Sequence, residues 1–230
     1  MLSKEKSETL VDTICGMIRM DIITQELLPG QKLQPKELAE KYGASETPVK
    51  FALERLVSEK MVEKFPRQGM RVKHIDLEEA IEIFELRRMM DLYYLKQIMV
   101  SVNTNDRLKN ALIRNVDEHR KAITEYNEKQ DPNLYQLHYE YDYLFHELYL
   151  KCSGNKTLVE MYQKTNPFVY RHYIYRRQTF ERNLMAVEEH AQLIRAIFAN
   201  DEEKVKESIN RHIDNAINTI TMIVKVDKIL

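Results

Sequence analysis

Apolar residues recur at helical spacing through residues 8–26, at Leu10, Ile14, Met17, Ile18 and Ile22, and the Pro-Gly turn in "LLPGQKL" ends that pattern. A short helix follows in "PKELAEKYG". In "ASETPVKFALERLVSEK", Ser45 takes the N-cap position, Pro48 falls in the tolerant first turn, and Val49, Ala52, Leu53, Leu56 and Val57 form one apolar stripe. "MVEKFPRQGMRVKHI" then alternates on both sides of a Gly-containing turn, as a two-stranded hairpin does. Three helices followed by a hairpin predict a winged helix-turn-helix over residues 1–74.

From Asp76 onward the period stays helical. Helices are expected over 76–101, 105–129, 132–152, 156–178, 181–199 and 202–226, and an antiparallel bundle over residues 75–230 is their natural packing. The expected fold class is therefore mainly α, a winged helix-turn-helix followed by an all-α bundle. No repeat, low-complexity tract or long linker separates the two parts, so motion in one can be felt by the other.

Composition agrees with this texture. Five Gly and six Pro, against 43% hydrophobic and 31% charged residues, favour long helices over a turn-rich β protein. Cys15 and Cys152 are far apart and form no spaced pair, so neither a disulfide framework nor a cysteine zinc site is expected. The start "MLSKEKSETLV" lacks the apolar run of a signal peptide, and no segment approaches the length of a membrane span, so the reading is a cytoplasmic chain with no membrane role. The net charge of −1 excludes an overall basic nucleic-acid binder. Its distribution is uneven, with eight basic and four acidic side chains in residues 41–73.

Candidate chemistry lies in the bundle. Asp142 and His146 are four residues apart, a rotation of about 400° and a rise of roughly 6 Å, so they leave one helix face a turn apart and can share a metal ion. His190 and His212 each lie 11 residues from Asp201, the expected turn of a helical hairpin. That puts both about 16 Å from the turn and level with each other. A lone helical histidine is ordinarily a core or surface residue, but here four ligands converge from three helices. Neutral imidazoles with one carboxylate suit zinc, nickel or another first-row divalent ion. A five- or six-coordinate ion keeps positions open for the carboxylate of a small organic acid.

The stretch from Leu27 to Val72 resembles the GntR family of bacterial transcription regulators, in Pro29-Gly30, Leu38-Ala39, the recognition segment Ser45 to Leu53 and the wing triplet Arg67-Gln68-Gly69. "DLEEAIEIFELRRMMDLYYLKQ", "DYLFHELYLKCSGN" and "EEHAQLIRAIFANDEEKVKESINRHI" resemble the all-helical FCD effector domain of that family. The resemblance implies that Lys36, Ser45, Thr47, Lys50, Arg67 and Gly69 meet operator DNA, and that a homodimer reads paired half-sites. It also implies that Asp142, His146, His190 and His212 match the one-Asp, three-His pattern of metal-binding FCD domains. Arg87 matches an arginine lining their effector pocket, and Asn155 matches a Gly-Asn break. Repression relieved by the effector is the commoner sense in such families.

Four departures stand out. Lys50 replaces an arginine and loses its planar fork. Glu46 replaces another, bringing an acid close to phosphate unless it accepts from cytosine N4 or turns toward the helix N-terminus. Asp91 stands where the family generally has Glu. Phe51, in place of an acidic residue, reads as a packing residue. Two other readings stay open. In one the metal is structural and the regulator has no small ligand; in the other the protein is a metalloenzyme, against which stands the lack of a separate base or nucleophile motif.

Overall fold

A computed structural model describes residues 9–167, 170–174 and 177–227. The chain divides into two compact units, Met1–Ile75 with Val169–Tyr173, and Asp76–Phe168 with Ile174–Leu230.

In the first unit α1 (Leu10–Ile23) starts at a capping box between Thr9 and Asp12. α2 (Pro35–Tyr42) has proline in its first turn and ends at Gly43 in the left-handed conformation. α3 (Glu46–Ser58) follows, and α1 and α2 both pack on it. Val49, Ala52, Leu53 and Leu56 are buried against Ile14, Ile18 and Ile22 of the same core.

The wing has three strands rather than the expected two. β2 (Val62–Phe65) and β3 (Gly69–Val72) form the hairpin, and β1 (Lys32–Leu33) pairs antiparallel with the other edge of β3. The Pro29-Gly30 turn makes this strand: Gln31 N–H donates to Leu28 O at 2.9 Å with Gly30 at φ +77°, and Gly30 N–H then donates to Val72 O at 2.8 Å. Proline first and a positive φ second is the type II pattern, and a Cβ on Gly30 would fall 2.1 Å from His74 Nε2.

After the first unit come α4 (Leu77–Tyr93), α5 (Leu95–Asn103), α6 (Asp106–Lys129), α7 (Pro132–Lys151), α8 (Lys156–Thr165), α9 (Arg171–Ile174), α10 (Phe180–Phe198) and α11 (Glu202–Asp227); all but α9, whose first three residues belong to the first unit, form the bundle of the second unit. α6 packs on α7, α10 on α6 and α11, and α11 on α4. Two expected helices are interrupted. The helix over 76–101 breaks at Tyr94, where the Tyr149 hydroxyl donates to Asp91 O at 2.8 Å and takes the acceptor that the Leu95 N–H would use in an unbroken helix. The helix over 156–178 stops at Thr165, because Asn166 turns left-handed at φ +46° and Pro167 supplies no N–H to continue the ladder. No helix among the described residues is long and apolar enough to cross a membrane.

Candidate functional site

Each helix that carries a proposed ligand is started by a side-chain cap. Asp131 accepts the Asn133 N–H ahead of α7, Thr179 accepts the Arg182 N–H ahead of α10, and Asp201 accepts the Lys204 N–H ahead of α11. With the starts fixed, one ligand atom from each of Asp142, His146, His190 and His212 lies within 4.8 Å of the others. His146 Nε2 is 3.0 Å from His190 Nε2. Asp142 Oδ1 lies 3.2 Å from His190 Nε2 and 3.9 Å from His146 Nε2.

Burial, helped by neighbouring imidazoles and the Arg87 guanidinium, holds His146 and His190 well below the ordinary histidine range, so both are neutral at pH 7. Burial also raises the pKa of Asp142, whose Oδ1 is buried without an aligned hydrogen bond. Imidazole nitrogens facing each other beside an unpartnered carboxylate oxygen form a donor set that a cation satisfies. The residues present fit a divalent ion.

Around them lies a supporting shell. His212 Nδ1 is 2.6 Å from Glu189 Oε2, which leaves Nε2 as the ring nitrogen for the cluster. Asn215 Nδ2 donates to Glu189 Oε1 at 2.8 Å, and Arg182 Nη1 lies 3.4 Å from the same oxygen. Burial opposes the charge on Glu189, but these bonds outweigh it and hold its pKa below the usual value. Arg87 is 1% exposed and brings Nη2 to 2.5 Å from His146 Nε2. Asp91 Oδ2 lies 3.5 Å from both Arg87 Nε and His146 Nδ1, and burial pushes the Asp91 pKa up to about 6. Glutamate reaches one methylene further, so aspartate leaves these contacts long.

Asn155 serves as the α8 N-cap. Its oxygen accepts the Leu158 N–H at 3.1 Å and its nitrogen donates to the Tyr94 hydroxyl at 2.8 Å, so both ends of the amide are committed. Glu189, His119 and His138 were not anticipated. His119 Nε2 and His138 Nδ1 are 2.6 Å apart, and the His119 ring lies 5.9 Å from that of His190. Burial drives the His138 pKa down to about 3. A signal existed: His119 lies 11 residues before Gln130 and Asp142 lies 11 after Asp131, on either side of the Gln130–Asp131 turn, the same count that paired His190 with His212.

In the first unit Lys36, Ser45, Glu46, Thr47, Lys50, Arg67 and Gly69 are all exposed. Ser45 has extended N-cap geometry, but its side chain makes no capping bond. Arg67 at φ +62° and Gly69 at φ +91° shape the wing tip.

The model of the bacterial regulatory proteins of the gntR family matches residues 10–72, and that of the FCD domain matches residues 82–215. The chain belongs to the GntR family. This GntR-family regulator is 24% identical over 185 residues to the HTH-type transcriptional regulator YdhC of Bacillus subtilis (strain 168), covering 80% of this chain and 77% of that one. It is 24% identical over 212 residues to the HTH-type transcriptional repressor GlaR of Escherichia coli (strain K12), covering 85% and 89%. The solved structure of E. coli McbR/YncC shares the fold, with a TM-score of 0.65 at 22% identity over 94% of this chain and 98% of that one.

GntR–FCD proteins are DNA-binding transcription regulators and not enzymes, and that is what this chain is. Within its DNA-binding domain, Glu46 pairs with Lys50 at 2.8 Å, one turn on, which lowers the Glu46 pKa and offsets the acid's charge on α3. The pair is well exposed, so its hold on Lys50 is weak against a phosphate. Phe51 is not a packing residue: it is 63% exposed, because α3 turns it away from the buried stripe.

Proposed function

We propose that this regulator binds one divalent metal ion, zinc or nickel, through Asp142, His146, His190 and His212, and senses a small organic acid there. The observation that carries the reading is the convergence of four ligand atoms within 4.8 Å, with the Arg87 guanidinium 2.5 Å from one of them. A bound ion acts as a Lewis acid that a carboxylate can coordinate. Glu189 orients His212, and Arg87 has the fork that a carboxylate accepts bidentately once metal takes the His146 lone pair. The bundle thus holds both an ion and a second positive group for one anionic ligand.

The first domain meets operator DNA through Lys36, Ser45, Thr47, Lys50 and the wing residues Arg67 and Gly69, with Glu46 tolerated through Lys50. The working form is a homodimer reading paired half-sites. Repression is the proposed basal sense, supported by a repressor among the relatives. A tenfold change in DNA affinity requires the acid to favour one arrangement by about 1.4 kcal/mol, within reach of one charge-assisted contact. The test is a thermal-shift screen of organic acids against metal-loaded and metal-stripped protein, followed by operator binding with each hit. Hits confined to loaded protein that alter operator affinity support the reading; hits indifferent to metal contradict it.

A further inference from the structure

At about 100° per residue, the buried Val49, Ala52, Leu53 and Leu56 define the inward side of α3, and Thr47, Phe51, Glu54 and Ser58 line the opposite side. The charged residues of this surface are engaged within the protein. Glu54 binds Lys64 at 2.5 Å, Lys50 binds Glu46 at 2.8 Å, and Arg55 binds Asp12 at 2.5 Å. Phe51 sits among them near the middle of the outward face, 63% exposed. A scattered exposed aromatic means little by itself, but this one lies on the face that a recognition helix turns to DNA.

A phenyl ring has no donor or acceptor with which to read a base edge. Among major-groove edges only thymine offers an apolar group, its C5-methyl. We propose that Phe51 reads a thymine C5-methyl in each operator half-site, a specificity role that rests on the placement of α3 in the major groove. Thr47, one turn earlier on the same face, brackets the contact. Removing water from one methyl group is worth about four-fold in affinity, enough to distinguish thymine from cytosine or uracil at that position.

The test uses the full chain. Duplexes enriched from random DNA define the half-site, and each thymine in it is replaced singly by deoxyuridine, which removes only the methyl. Binding is compared for the wild type, Phe51→Ala and Phe51→Leu. One thymine per half-site should show about four-fold weaker wild-type binding on replacement. Phe51→Ala should be indifferent to that replacement, and Phe51→Leu should retain part of the effect. Because the ring is largely exposed, both variants should melt with the wild type. A half-site with no methyl-sensitive thymine, or a Phe51→Ala variant with the same methyl sensitivity, would overturn the inference while leaving α3 in the groove. Failure to enrich any duplex would overturn that placement, and the inference with it.

Discussion

His212 Nδ1 lies 2.6 Å from Glu189 Oε2, and Glu189 is the residue immediately before His190. One stretch of α10 therefore supplies a proposed ligand and the acceptor that orients another. Glu189→Gln keeps the shape but weakens the orienting bond. We expect metal affinity to fall about 10- to 100-fold, with helix content unchanged, in competition against a chromophoric chelator. Wild-type affinity in this variant would remove Glu189 from the account.

Arg87 should separate metal from effector. It contacts His146 Nε2, a nitrogen that a metal would claim, so Arg87→Ala should leave metal content intact while abolishing the effector's influence on operator binding. The comparison is operator affinity with and without an acid identified by the screen. If the variant responds like the wild type, the acid is held by the metal alone.

On the DNA side, Lys50→Ala and Arg67→Ala should each weaken operator binding. Each lost phosphate contact should also make the plot of log affinity against log salt shallower by about 1 unit. Glu46→Arg should raise affinity on all DNA if the acid is merely tolerated; reduced discrimination at one base pair would mean instead that Glu46 reads cytosine. Unchanged affinity and slope in both Lys50 and Arg67 variants would refute the proposed orientation.

Asp12 gives a pH signature for the first domain. Bonds from the Thr9 hydroxyl and N–H, joined by Arg55, bring its pKa down to about 2 from an ordinary 3.8. A depressed carboxyl stabilises the fold above its unfolded-state value, and that contribution is lost as pH falls from 3.8 toward 2. The difference in melting temperature between wild type and Asp12→Asn should therefore be present at pH 6 and shrink through that acid window. A difference that stays constant down to pH 2 would contradict the assignment.

Much of this architecture was legible because its signals are local. The stripe on α3, the alternation around the wing, and the count from Asp201 to His190 and His212 depend only on helix and strand periods. β1 was not legible, since two residues carry no period and their partner strand lies some 38 residues on. The break at Tyr94 arises when a distant Tyr149 hydroxyl takes a main-chain acceptor, which no local pattern announces. The end of α8, by contrast, was written in Asn166-Pro167. Glu189 escaped notice because its role depends on reaching across to the neighbouring helix.

The central claim is that the four converging side chains hold one metal ion. Elemental analysis of protein purified without added metal or chelator, beside His190→Ala, His212→Ala and the double variant, tests it most directly. The account predicts one divalent ion per wild-type chain, less in each single variant and none in the double variant; full occupancy in the folded double variant would contradict it.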